Sequence, residues 1–160
     1  MDGALQALTL VTALGCGLVA GFLFAFSSAV MDALARLKPP EGIAAMQSIN
    51  VMVVRPPSMI AMFGTAAACI ALVVAAVSNW TEPFGPWLLA GALLYLAGPI
   101  GLTMLYNVPR NNALAAVEPG TAGAAAVWQR YLREWTIANH VRTAAGLAAA
   151  AALTVALYVD

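Results

Sequence analysis

Tryptophan, asparagine and arginine recur at helical spacing in the last quarter of the chain. Trp128, Trp135 and Arg142 are seven residues apart, and Leu132 and Asn139 lie on the same helical stripe. Indole rings stack on planar molecules, whereas an amide and a guanidinium donate hydrogen bonds to oxygen. The stripe therefore predicts either a binding face for a planar ligand or an interfacial belt of aromatic and basic side chains.

His140, the single histidine of the chain, lies beside this stripe. Histidine titrates close to neutral pH, so it is the side chain best suited to act as a general base there. The competing interpretation is an amphipathic group at the membrane interface, or a partner of a backbone carbonyl.

A second polar cluster follows the third apolar run of the sequence. Asn107, Asn111 and Asn112 lie within six residues, beside Arg110. Turn formation accounts for one or two asparagines, and further amides at membrane depth are costly unless they find partners. Pro109 is expected to interrupt the helix at this point. The cluster predicts either a ligand-binding function or an elaborate turn.

The elements that must position these residues are membrane-spanning helices. Of the residues, 62% are hydrophobic and only 9% are charged, which excludes an ordinary soluble domain and gives no basic surface for nucleic acid. Roughly 20 apolar residues cross a bilayer. Uncharged runs predict an all-α, four-helix transmembrane bundle as a single domain over residues 1–160, with spans at about 4–35, 56–79, 85–107 and 137–158.

The two long connections are predicted to contain helices of their own. Between Pro39-Pro40 and Pro56-Pro57, apolar residues at helical spacing predict a short helix at the inner membrane face that carries Asn50. The segment from Ala122 to Val141 has strong helical character and leads into span four as one long helix.

Orientation follows from the cations, all seven of which lie in these two connections or at their edges. The positive-inside rule places both connections in the cytoplasm and both termini outside, in a bacterial inner membrane. Small residues, as in Gly17-x-x-x-Gly21, permit close packing of helices and self-association into a homo-oligomer. The expected partners are the lipid bilayer and a hydrophobic small molecule.

Four segments together resemble the anthrone oxygenase-like family of small four-span membrane proteins, in the same order and spacing. In fungal polyketide pathways, members of this family oxidise an anthrone to an anthraquinone with molecular oxygen and without an evident cofactor. The resemblance implies a membrane oxygenase for a planar hydrophobic, anthrone-like polyketide or quinol. The segments are Gly21–Ser27, Ala45–Asn50, Asn107–Asn112 and Trp135–Thr143.

The implied chemistry starts at the acidic methylene of an anthrone, because its deprotonation gives an enolate that reacts with oxygen. His140 would be the base, and Asn107, Asn111 or Arg142 would hydrogen-bond the oxyanion. Tyr106 or Tyr131 would protonate a peroxide intermediate. The amide and aromatic residues expected to bind the substrate are Asn50, Asn107, Asn112, Trp128, Tyr131, Trp135 and Asn139.

Two other functions stay open. A haem- or quinone-binding redox protein is one, although a single histidine leaves haem only a His and Met pair or a site shared in a dimer. A non-catalytic membrane binding or assembly protein is the other. No metal site is predicted, because the sequence lacks a His, Cys or carboxylate cluster. Coupled transport is disfavoured, since no charge lies in the interior of spans one to three.

Overall fold

A computed structural model describes all residues, 1–160, and every regular element in it is helical. Four helices are long and apolar enough to cross a membrane, so the chain is an integral membrane protein. The helices are α1 (Gly3–Ala35), α2 (Pro39–Met52), α3 (Pro56–Ser78), α4 (Gly85–Ala115) and α5 (Ala124–Tyr158). The predicted short helix and the long final helix are confirmed as α2 and α5.

Prolines and glycines set where the connections end and the helices begin. Pairs of prolines open α2 and α3, where a helix has no use for the backbone N–H that proline lacks. Gly123 precedes α5 with a φ of 89°, in the left-handed region that favours glycine. The chain therefore reverses within short segments, and the helices form an antiparallel bundle.

The expected interruption at Pro109 is wrong, because α4 continues to Ala115. Residues Leu96–Asn107 are π-helical, and the N–H of Val108 bonds to the carbonyl of Thr103, five residues back. This wider register relieves the clash that a proline ring makes with the preceding turn of an α-helix. It accommodates both Pro99, inside the π-helical stretch, and Pro109 just after it.

Each long helix packs on two neighbours, in the order α1, α5, α4, α3 around the bundle. The α1–α5 contact is close: a Cβ added at Gly146 would lie 3.0 Å from the Cβ of Ala20. Small side chains thus let these two backbones approach, as in other membrane bundles. Helix α2 covers one end of the bundle, against α5 and the ends of α1 and α4.

The two ends of the bundle differ in composition. We call them the α2 end and the hairpin end, the latter containing the α3–α4 turn. Trp80 and Trp87 flank that turn with 55% and 42% of their surface exposed, as expected of interfacial anchors. One buried apolar cluster, including Cys16 and Cys69, fills the hairpin half, and a second surrounds Trp128 near the α2 end.

Candidate functional site

A cavity of about 800 Å³ lies in the α2 half of the bundle, and all five helices contribute to its lining. Most of its wall is apolar. On the α1 and α3 sides that wall includes Leu18, Phe22, Met59, Met62 and Phe63. Volume and polarity are typical of a small-molecule site, in which a few polar groups orient a mostly apolar ligand.

The polar groups gather on the opposite side of the cavity. Thr103, Asn107 and Asn111 recur every four residues along α4, and they face Trp135 and Arg142 of α5. We call these five residues the polar wall. Across it, Nδ2 of Asn107 lies 3.4 Å from the carbonyl oxygen of Trp135, a long hydrogen bond. The cavity therefore has a polar wall on the α4 and α5 side and a mostly apolar surface on the α1 and α3 sides.

Arg142 is the only charged residue in the lining and is just 4% exposed. Its guanidinium donates to Oγ1 of Thr103 at 2.8 Å and to Oδ1 of Asn139, and it lies 5.2 Å from the Trp135 ring centroid. Arg142 forms no salt bridge. Because all these partners are neutral, the protein leaves the positive charge of Arg142 without a counter-ion.

Asn139 anchors Arg142 to the first helix. Its Nδ2 donates to the Leu23 carbonyl at 2.7 Å and to Oγ of Ser27 at 2.6 Å, and the residue is fully buried. Ser27 lies in a π-helical turn, Phe26–Val30, of α1. Such turns occur where a side chain inserts into the backbone ladder, as Asn139 does here. The guanidinium is thus fixed from α1 and α4 at once.

Asn111 orients the aromatic part of the polar wall. Its Oδ1 accepts hydrogen bonds from the Tyr131 hydroxyl at 2.8 Å and from Nε1 of Trp135 at 2.9 Å. The rings of Tyr131 and Trp135 are stacked, with centroids 6.3 Å apart. The amide therefore holds the indole in one orientation at the cavity surface.

Charged side chains brace α4 against α5 beside Asn111. Glu134 accepts from Nε of Arg110 at 2.9 Å and from Nε of Arg130 at 2.8 Å. The Arg110 guanidinium also lies 3.3 Å from the centroid of the Tyr106 ring. These contacts place Tyr106 and all three charges outside the cavity lining.

Helix α2 closes the end of the cavity and is fastened to α4. Nε2 of Gln47 donates to the carbonyls of Leu114 and Val117, both at 2.9 Å, and so satisfies the free carbonyls where α4 ends. Asn50, one turn further along α2, lines the cavity. The short helix therefore contributes an amide to the site as well as a cover.

Three buried polar atoms of the lining have no hydrogen-bond partner: Nδ2 of Asn50, Oδ1 of Asn107 and Nε of Arg142. Leaving such a group unsatisfied costs about 1–3 kcal/mol, so a protein rarely keeps several in one place without a use for them. Two are donors and one is an acceptor. Together they match a ligand that carries both an anionic or carbonyl oxygen and a hydroxyl.

Residues 58–152 match the family model described as Anthrone oxygenase. The chain belongs to the anthrone oxygenase family. The matched segment covers α3, α4 and most of α5, and it therefore includes the whole polar wall. No curated protein and no solved structure matches the chain. Family and fold together describe an oxygenase-like membrane protein.

In this anthrone oxygenase family member, the cavity brings together most of the predicted site residues. Two others, Tyr131 and Asn139, lie directly behind the polar wall and hold it. The predicted residues that line the cavity are Asn50, Asn107, Asn111, Asn112, Trp135 and Arg142.

Trp128, predicted to stack on the substrate, does not reach the cavity. Its indole is fully buried beneath α2, where a Cβ added to Gly42 would lie 2.8 Å from the ring. It stacks on Tyr131 with ring centroids 5.8 Å apart. The first two turns of α5 extend beyond the cavity, so Trp128 packs in the core although it shares the helical stripe of Trp135.

His140 also lies away from the polar wall. Its side chain is exposed and lines no part of the cavity, and it shares the outer face of α5 with Ile137 and Val141. One residue along an α-helix turns the side chain by about 100°, which separates His140 from Asn139. The position does not support His140 as the base, nor as a haem ligand within the cavity. No group of three or more His, Cys, Asp or Glu side chains is placed to hold a metal ion.

Thr103 and Ser27 are the site residues that sequence reasoning missed. Thr103 accepts from Arg142, and Ser27 accepts from Asn139. Thr103 was detectable, because it extends the four-residue spacing of Asn107 and Asn111 by one step. Ser27 carries no such signal, since its role depends on the π-helical turn of α1.

Proposed function

We propose that this protein is a membrane oxygenase that oxidises a planar hydrophobic, anthrone-like polyketide or quinol with molecular oxygen. Family membership supports the reaction class. The single observation that carries the proposal is the composition of the cavity: one polar wall, built around a buried arginine without a counter-ion, in a mostly apolar chamber.

The walls suit the two parts of such a substrate. The fused rings would lie along the apolar side, against Phe22 and Met62, with the Trp135 indole bordering them. The substrate oxygen would accept from Nε of Arg142, while the two terminal nitrogens of the guanidinium donate to Thr103 and Asn139. Asn107 Oδ1 would accept from a hydroxyl of the substrate, which fixes the orientation of the rings.

The reaction begins with loss of a proton from the methylene that is flanked by aromatic rings. The resulting enolate is stabilised by donors fixed in a water-poor site, the situation in which such donors are most effective. Oxygen accepts the electrons of the enolate and forms a carbon–oxygen bond, and protonation gives a hydroperoxide. Breaking the remaining C–H bond and the O–O bond releases water and leaves the second carbonyl. One O₂ is consumed for each water released.

We further propose that the α2 end faces the cytoplasm of a bacterial inner membrane. The six cations other than Arg142 lie towards that end, in the connections or in the adjoining turns of α4 and α5, whereas the α3–α4 turn carries no cation and is flanked by two tryptophans. Cysteines introduced at exposed positions test this orientation: Lys38→Cys should react with an impermeant thiol reagent only after cells are opened, and Thr81→Cys should react in intact cells.

Oxygen uptake by the purified protein in nanodiscs, with an anthrone as substrate, tests the activity. We expect one O₂ consumed for each anthraquinone formed, at a rate above that of protein-free nanodiscs. Arg142→Met should lower the rate by roughly 10²–10³-fold, the effect of removing one oxyanion donor elsewhere. Arg133→Met, the same change at an exposed position of α5, should stay within about twofold of wild type.

Uptake no faster than in protein-free nanodiscs would contradict the oxygenase proposal. A visible spectrum of the same preparation separates the alternatives, because bound haem or quinone absorbs where the polypeptide does not. Binding of the anthrone without oxygen uptake would favour a non-catalytic binding protein.

A further inference from the structure

The proposed reaction needs a proton to leave the substrate, yet the cavity offers no ordinary base. Its lining contains no Asp, Glu, His, Lys, Cys or Tyr. Arg142, the one charged lining residue, is protonated at any physiological pH and only donates hydrogen bonds. Whatever deprotonates the substrate is therefore not a side chain of the lining.

The groups that face Arg142 are all neutral. Helix α4 contributes the Thr103 hydroxyl, and α5 contributes the Trp135 ring and the amide of Asn139, which is itself bonded to α1. Helix α2 contributes amides to the lining, and α3 contributes only Ser58 among apolar residues. Behind the wall, the one titratable side chain is Tyr131, and its hydroxyl already donates to Asn111.

The nearby charges do not compensate Arg142 either. Arg110 and Arg130 are both bonded to Glu134, outside the lining. An isolated cation in an apolar interior is unfavourable, and an opposite charge within a few ångströms offsets that cost. Only 4% of the Arg142 surface is exposed, and its Nε has no hydrogen-bond acceptor in the protein.

We infer that the cavity binds its ligand as an anion, and that the ligand class is planar aromatic enols and phenols. This inference deepens the proposed function and concerns the same site. When a phenol, or the enol tautomer of an anthrone, binds, its O–H bond breaks, the electron pair stays on oxygen beside Arg142, and the proton passes to water. The proton would leave at the α2 end, where the lining residues Asn112 and Ala115 are exposed.

On this view the protein promotes ionisation of the substrate by binding the anion. Arg142 lowers the free energy of the enolate relative to the neutral substrate, so ionisation follows from binding and needs no dedicated base. Some phenols resemble the product and do not react further with oxygen. They should occupy the site in the same ionised form and compete with the substrate.

A β-hydroxyanthraquinone is a suitable probe, because it is planar, does not react with oxygen, and differs in colour between its phenol and phenolate forms. The probe would be titrated with pH in nanodiscs of uncharged lipid, with and without protein. We expect the site to prefer phenolate by at least about tenfold, which appears as a fall of about 1 in the apparent pKa of the bound probe.

Variants assign that preference to Arg142. Arg142→Met should abolish or reverse it, because an apolar cavity without the cation favours the neutral phenol. Arg142→Lys keeps the charge and should retain part of it, and Arg133→Met should retain all of it. The inference is overturned if wild-type protein binds no probe or binds it without a fall in the apparent pKa of the probe. It is also overturned if wild-type protein and Arg142→Met change that pKa equally.

The outcomes separate this inference from the proposed function. If the protein prefers the phenolate but consumes no oxygen with an anthrone, the oxygenase proposal is contradicted and the anion site is supported. If the protein oxidises the anthrone without preferring the phenolate, the oxygenase proposal is supported and the anion site is contradicted.

Discussion

The hairpin half and the α2 half of this bundle use the same four helices in opposite ways. In the hairpin half, Cys16, Cys69, Leu72 and Leu88 are fully buried in one apolar cluster. There the Tyr95 hydroxyl finds an acceptor, the Met62 carbonyl, at 3.0 Å. In the α2 half the helices surround a cavity, and three polar atoms of its lining lack partners.

The difference shows how a small membrane protein supports a costly site. Close packing in the hairpin half fixes the positions of α1, α3, α4 and α5. The α2 half is then held by specific hydrogen bonds between helices, such as those of Asn139 and Asn111, rather than by filling all the space. If this division is right, changes in the two halves should have separable effects.

Among variants that keep Arg142, the largest effect is expected from Asn139→Ala in the α2 half. The substitution removes the hydrogen bonds to Leu23 and Ser27 and frees the guanidinium of Arg142. Misplacing a catalytic group by about 1 Å costs roughly 10²-fold in rate, and we expect a loss of this size in anthrone-dependent oxygen uptake. Thr136→Ala, on the same helix and outside this network, is the control.

A stability effect without an effect on chemistry is expected in the hairpin half. A Cβ at Gly91 would lie 2.7 Å from the Leu153 side chain, so Gly91→Val should overpack this contact and destabilise the protein by about 1–3 kcal/mol. Gly17→Val is the matched control, because no atom lies within 4 Å of a Cβ there. Thermal unfolding in detergent measures both, and activity per folded molecule should stay at the wild-type level.

A smaller effect is expected from Asn111→Leu. Two buried donors, the Tyr131 hydroxyl and the Trp135 indole, would lose their acceptor, while Arg142 keeps its own contacts. We expect roughly a tenfold loss of activity, equal to about 1.4 kcal/mol in the barrier, together with a changed emission spectrum of Trp135. If Ala113→Leu, at a nearby exposed position, has the same effect, the amide is not what matters.

No effect is expected from His140→Ala. The side chain lies on the outer face of α5, and the anion site requires no base. Oxygen uptake should stay within about twofold of wild type across neutral pH. Loss of activity would instead restore His140 as the base and count against deprotonation by binding alone.

The sequence predicted the fold well because its signals are long and simple. Uncharged runs located the four spanning helices, and the proline pairs located α2 and α3. The predicted interruption at Pro109 is wrong, because the rule that proline breaks a helix assumes an α-helical register and the preceding stretch is π-helical. A change of register of this kind depends on packing against α5, which local sequence does not reveal.

The site was predicted in part for similar reasons. Seven-residue spacing correctly placed Trp135 and Arg142 on one face, together with the Asn139 that supports them. The same spacing included Trp128, since periodicity gives a direction around the helix and not a depth along the cavity. The prediction of His140 as the base rests on the chemistry of imidazole alone, whereas position 140, one residue after Asn139, points away from the stripe.

The most direct test of the account compares two arginine variants of α5 under identical conditions. Arg142→Met and Arg133→Met would be measured for anthrone-dependent oxygen uptake at equal concentrations of folded protein. The account predicts that Arg142→Met is slower than Arg133→Met by about 10²-fold or more, because only Arg142 supplies charge to the cavity. Equal rates for the two variants would contradict it.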